Sequence, residues 1–344
     1  MNNKFIPLLL VLMLIFIQGC SQAETIAIGY QSPTSQIWSA LIIKNTELYE
    51  NLLLEEFPNK EFEIVWLDYP SGPPITNNMI AGNIQIGFMG DMPLLVNGFQ
   101  GQSNDNYDSI LLAMDGKGKD GKNQAILTNK DSNIKVLSDL KGKSVSVPFG
   151  SSAHRMLLEI LKKNSLLEFV DITNQDVTVG MSSVENNLIP AHATWDPYPR
   201  FMLSRNQSNV IADGSESEAD YLNGVVIDNN WAKENERYAV IFAKALLKSH
   251  QLIIENPEIA AEIFSEESGF PVEICLEEAK EIRWDTLVYV QDVETLKKDA
   301  IFLESLGKMG TLDFDHFIED RYLKSAYLEL DLIYPTKKEL SEEW

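Results

Sequence analysis

The chain has 344 residues, 44% of them hydrophobic, and sets 51 acidic against 28 basic side chains for a formal charge of −23. A field of that sign repels nucleic acid, so no nucleic-acid partner is expected. The length and apolar content support two units with ordinary cores. Two cysteines, Cys20 and Cys275, offer no disulfide framework in place of a core.

In chain order, Lys4 precedes a run at 5–17 that is almost wholly apolar. It is short for a bilayer crossing and fits the apolar region of a secretory signal. The segment ends Gln18-Gly19-Cys20, which resembles a bacterial lipobox. That implies a signal peptide over 1–19, lipidation of Cys20 and a place in the cell envelope, on the periplasmic or extracellular face of a bacterial membrane. The alternatives are an ordinary signal peptide with a chance cysteine and an N-terminal buried helix. Cys275 sits in a helical pattern and reads as a buried thiol.

Residues 25–29 (TIAIG) predict a strand, and apolar spacing from 37 to 53 predicts a helix behind cap residues at 32–35. Strands follow at 63–67 and 84–89, with helices at 74–81 and from Pro93 to about 99. This alternation signals a largely parallel sheet with helices on its faces, which binds ligands at the carboxyl ends of its strands. Strands at 109–114 and 125–129 flank a Gly-rich polar loop. A second α/β unit then follows: a short helix at 136–143, the strand SVSVP, a helix opening at Ser151, and strands at 177–179, 193–195 and 209–212. A return strand at 225–228 leads to mainly helical sequence from 231 to about 327.

Four stretches stand in a telling order: IQIGFMGDMPLLVNG (84–98), VLSDLKGKSVSVPFGSSAHRMLLEIL (136–161), IPAHATWDPYP (189–199) and NPEIAAEIF (256–264). Together they make residues 24–330 similar to the substrate-binding proteins of ABC importers for nitrate, sulfonates and taurine. The aliphatic-sulfonate branch is nearest, through DLKGK and GSSAH. The resemblance implies an α/β, two-lobed periplasmic-binding-protein-like fold of type II, with two crossover hinge strands near 113–116 and 213–221 and a helical C-terminal region. Lobe one would comprise 20–115 and 218–344, and lobe two 116–217. The implied partners are a small-molecule ligand, an ABC permease with its separate ATPase, and the membrane through Cys20. The chain would be a monomer, with no cofactor and no catalytic residue.

The candidate ligand-binding residues gather at strand ends. Ser151, Ser152 and Ala153 open a helix, where free N–H groups and the helix dipole hold an anion without a lysine. The resemblance carries the anion contact directly onto these three; the alternative is a serine that only caps the helix. His154 lies on the same face, as ligand wall or structural ring; the G-x-S-x-G elbow that a serine nucleophile would use is absent. Gly90, Asp91 and Met92 open a helix in the opposite lobe. Asp91 caps that helix or receives the positive end of a zwitterion. Trp195 and Asp196 match the family's W-[DE]-P-[YF] element, with the indole as a wall. Tyr30, Ser32 and Asp228 complete the set. His192, His250 and His316 are scattered, so no metal site is expected.

The expected function is capture of a small sulfonate-like anion or zwitterion, an aliphatic sulfonate or taurine, for delivery to a permease. The alternatives are a binding protein for a pyrimidine or thiamine precursor, nitrate or bicarbonate, and an enzyme of the pyrimidine-precursor branch of the same fold.

Overall fold

The computed structural model describes residues 23–217 and 219–344. The lipidation expected at Cys20 and the signal segment lie outside the described residues.

Eleven strands are described, in two sheets. The first sheet holds β1 (Glu24–Tyr30), β2 (Phe62–Asp68), β3 (Ile86–Gly90), β4 (Ser109–Gly118), β10 (Tyr221–Asp228) and β11 (Arg283–Trp284) in the order β11-β4-β10-β3-β1-β2. The second holds β5 (Gln124–Asn129), β6 (Ser144–Val147), β7 (Asp171–Asn174), β8 (Ala191–Trp195) and β9 (Ser208–Asp213) in the order β7-β6-β8-β5-β9. β1 runs parallel to β2 and β3, and β6 runs parallel to β7 and β8. β10 is antiparallel to both β3 and β4. Each lobe is thus a helix-covered α/β layer, and the mixed α/β fold expected from the alternation is present.

The local sequence explains these elements. β1 and β3 are covered on both faces, so they read as apolar runs and not as alternation. One face of the first sheet carries a core around Ile28, Trp38, Phe242 and Phe264. The other packs Ile75, Leu94, Leu296 and Phe317. The second lobe has its own core around Ile126, Val145, Leu157 and Trp195.

Three expectations change. The helix expected over 37–53 is broken in two, Ser39–Asn45 and Leu48–Glu56, because Glu47 sits at φ 49° between them. Residues 177–179 belong to a helix, Val177–Glu185, whose Val177, Met181 and Val184 face inward; the strand beside it is β7. β4 continues through Gly118, so the first crossing falls at 119–123 and not at 113–116. The second crossing runs from Asp213 to Tyr221.

Candidate functional site

The carboxyl ends of β1, β2 and β3 face those of β6 and β8 across the space between the lobes. At its centre lies a small cavity lined by Gln31, Thr34, Gly90, Ser151, Ser152, Trp195 and Tyr221. Its volume is about 10 Å³, space for roughly one water. The lobes are closed upon each other.

The Ser152–Lys163 helix starts at this cavity. Ser151 is its N-cap, and its hydroxyl accepts from the His154 N–H at 3.2 Å. The capping role weighed for one serine therefore belongs to Ser151. Ser152 and Ala153 supply first-turn N–H groups with no partner among the described residues. The Ser152 hydroxyl presses on the opposite lobe: a Cβ added to Gly90 would lie 2.2 Å from its Oγ. Only a glycine lets the two helix starts come this close. Gly150 does the same from the other side, at φ 80°, with Pro73 Cγ 2.8 Å from where its Cβ would be.

Trp195 forms a wall of the cavity and ties the lobes, its Nε1–H donating to the Pro33 carbonyl at 3.0 Å. Asp196 is buried behind it. Its carboxylate accepts from Asn123 at 3.0 Å and its backbone carbonyl accepts from the Ser35 N–H at 3.1 Å. It braces the loop and does not line the cavity.

Six other candidate residues do not line the cavity. Asp91 is fully buried, and its carboxylate accepts from the Arg155 guanidinium at 2.9 Å. It has no free charge for a ligand's positive end. Asp228 caps the Asn229–Glu234 helix, accepting from the N–H groups of Asn230 and Trp231. Because β10 is antiparallel to β3, its last residues lie beside the start of β3, at the far edge of the sheet from the cleft. Tyr30 is in the core with its ring edge-on to Trp66 at 5.9 Å. Ser32 gives its N–H and hydroxyl to Asp68, at 2.8 and 2.7 Å. It lines a wider front groove of about 520 Å³ with Tyr69, Tyr198 and Phe270. Met92 and His154 face a rear pocket, apart from Ser152 and Trp195.

The geometry adds residues that the sequence alone did not suggest. Gln124 is buried and pairs in register with Trp195, so their side chains share a face. Asn223 pairs with Gly90, and its Oδ1 is 3.2 Å from the Cβ position there. Neither amide has a hydrogen-bond partner among the described residues. A buried amide left unpaired costs about 1–3 kcal/mol, so such groups are normally met by a water or a ligand. The available signal is a lone polar residue inside an apolar strand, QAILTN and YLNGVVID.

Two arginines of the second lobe fasten it to the first. Arg155 binds Asp91, its own-helix Glu159 at 2.6 Å, and Asp299 of the Val290–Ser305 helix at 3.4 Å. Burial opposes the charge on Arg155, but the three carboxylates hold its pKa well above the ordinary value. Burial pushes the carboxyls of Asp299 and Glu159 up. Arg200 binds Glu277, Glu278 and Glu281 of the Val272–Glu281 helix at 2.8, 2.6 and 2.7 Å. Burial, followed by the nearby Asp196 charge, raises Glu278 to about 8.

Residues 119–260 match the family described as NMT1/THI5 like. The chain is 29% identical over 198 residues to a protein of Escherichia coli (strain K12) named for the binding of aliphatic sulfonates; that stretch is 57% of either chain. A Bacillus subtilis (strain 168) protein with the same name is 24% identical over 269 residues, 75% of this chain and 77% of its own. The chain thus spans little more than half the length of the first of these relatives. Among solved structures, the alkanesulfonate-binding protein from Xanthomonas axonopodis pv. citri bound to MOPS superposes with a TM-score of 0.70. It is 20% identical and covers 87% of this chain and 100% of its own. The resemblance carried by the four sequence stretches is met by these relatives, and the two-lobed fold by the structural match.

Proposed function

We propose that this chain, with an NMT1/THI5-like region at its centre, is the extracytoplasmic solute-binding component of an ABC importer. It captures a small sulfonate-like organic anion between its lobes and delivers it to a permease. The observation that carries this reading is the paired helix starts at the central cavity: the unpartnered Ser152 N–H, with that of Ala153 next along the first turn, faced by Gly90 and walled by Trp195. Such donors answer an anion in a chain of charge −23 without a cation of their own. The unpaired amides of Gln124 and Asn223 add neutral donors beside them.

With room for about one water when closed, the cavity admits a headgroup only when the lobes part, as in hinge-type receptors. The ligand's free energy then acts as a preference for the closed state. A binding role without catalysis accords with the names of the relatives. Because Asp91 is engaged by Arg155, an anion without a positive end is favoured over taurine within the proposed class.

Thermal-shift screening of the purified protein tests the reading. The panel is alkanesulfonates, taurine, nitrate, bicarbonate and aminopyrimidines. A ligand present at 100 times its Kd adds about 2.7 kcal/mol of apparent stability. Alkanesulfonates should give the largest shift, and Ser152→Ala combined with Trp195→Ala should weaken their binding at least tenfold. Stabilisation by a pyrimidine and by no anion would overturn the ligand class. Unchanged affinity in the double variant would overturn the cleft.

A further inference from the structure

We propose that the rear pocket, behind the Ser152 helix start, is a second ligand site, one that takes a small organic anion with a flat apolar body and holds the lobes together from a position separate from the central cavity.

The pocket has a volume of about 290 Å³ and is walled by both lobes. Met92 and Val96 of the Asp91–Ser103 helix form one side, Phe149 and His154 the other, and Lys308 stands at its edge. Neither Ser152 nor Trp195 reaches it.

Two groups give it polarity. His154 is only 5% exposed. Its Nδ1 accepts the Gly150 N–H at 3.0 Å, which places the proton of the neutral ring on Nε2. That Nε2–H has no partner among the described residues, on a ring that lines the pocket. Lys308 is exposed, and its ammonium has no carboxylate partner among the described residues, although acidic side chains outnumber basic ones 51 to 28. Its charge is felt at His154: burial first, then Lys308, lowers the imidazole to about 4, so the ring stays a neutral donor near pH 7.

The remaining walls are apolar. Phe149 is 46% exposed and stacks on the His154 ring, centroids 4.9 Å apart and planes 12° apart. A ligand's ring fits against Phe149, Met92 and Val96 while its anionic head sits between Lys308 and the His154 Nε2–H. Since the walls come from both lobes, occupation favours the closed arrangement.

The test is a titration with benzenesulfonate, followed by the imidazole resonances of ¹⁵N-histidine-labelled protein. The expected result is a saturable shift of the His154 resonance, no shift with benzyltrimethylammonium, at least tenfold weaker binding in Lys308→Ala, and retention of the shift in Ser152→Ala. A His154 resonance that does not move would overturn the proposal. So would Lys308→Ala binding as tightly as the unaltered protein, or loss of the shift in Ser152→Ala, which would place the ligand in the central cavity.

Discussion

Arg155 and Arg200 both reach from the second lobe to carboxylates of the first, yet they sit in different dielectric surroundings. The Arg155 side chain is fully buried, as are those of Asp91 and Asp299 to within one per cent. The Arg200 side chain is 21% exposed, and Glu277 and Glu281 are 55% and 60% exposed. Around Arg155 each charge depends on the others, because water cannot replace a lost partner. Around Arg200 water can, and Glu278, the one fully buried member, is able to shed its charge by taking a proton. The first cluster is therefore part of the folded closed state. Both span the lobes and part when these open, the second at the smaller cost.

The sharpest way to break this contrast is Arg155→Ala. Asp91, Glu159 and Asp299 then lose their shared counter-charge in a buried site and must protonate or stay unpaired, a change that typically costs about 3–5 kcal/mol. Denaturant unfolding should show the loss directly. Replacing Asp91 and Asp299 by Asn in an Arg155→Met background should recover much of it. A loss below about 1 kcal/mol in Arg155→Ala would show that the cluster opens to water and that the contrast is false.

Much of the architecture was legible in the sequence, because doubly covered strands such as β1 and β3 print as apolar runs with helices between them. Residues 177–179 misled through the β-branching of Val-Thr-Val, although the inward set Val177, Met181 and Val184 has helical spacing. The Gly-Ser-Ser helix start could be read from a strand followed by capping residues. Arg155 could not: with Glu159 four residues on, it looks like an exposed helical pair, and its burial comes from Asp91 and Asp299, far away in sequence. Asp228 was misplaced because strand direction is not written in a strand's own residues. Nothing in YLNGVVID says that it runs antiparallel to β3.

A middle-sized effect is expected where no charge is involved. Gly90→Ala places a methyl group 2.2 Å from the Ser152 hydroxyl, between the lobes. Overpacking of this kind costs about 1–3 kcal/mol, here charged to closure and not to either lobe's core. Ligand affinity should fall accordingly, small-angle scattering should show a more open particle, and Ser152→Gly should reverse the opening. If Gly90→Ala weakened binding equally with and without Ser152→Gly, the two helix starts would not be in energetic contact.

Arg200→Ala should cost less, about 1 kcal/mol, because two of its partners return to water and Glu278 can protonate. The loss should fall on the closed state, as a severalfold faster ligand dissociation with a nearly unchanged unfolding midpoint. An unfolding loss as large as that of Arg155→Ala would erase the distinction between the clusters.

The smallest effect is the pH dependence of closure. Glu278 is buried where the lobes meet and is raised from its ordinary 4.5 to about 8 by desolvation and by Asp196, against the pull of Arg200. An opened, hydrated Glu278 titrates near its ordinary value, so closing takes up a proton anywhere between pH 4.5 and 8. Closure is thus strengthened as pH falls from 8 and weakened as it rises through 8. His154 acts in the opposite sense: burial lowers it from 6.5 to about 4, so below 6.5 its neutral state must be maintained at a cost. The clean window is therefore pH 6.5 to 8. Calorimetric affinity for the cleft ligand should rise by about fivefold from pH 8 to 7, within the tenfold limit of one proton per pH unit. Glu278→Gln should flatten that slope without moving the unfolding midpoint by more than the Arg200 variant does. An affinity that falls between pH 8 and 7, or a slope that survives Glu278→Gln, would mean that the proton goes elsewhere and that Glu278 stays charged beside Arg200.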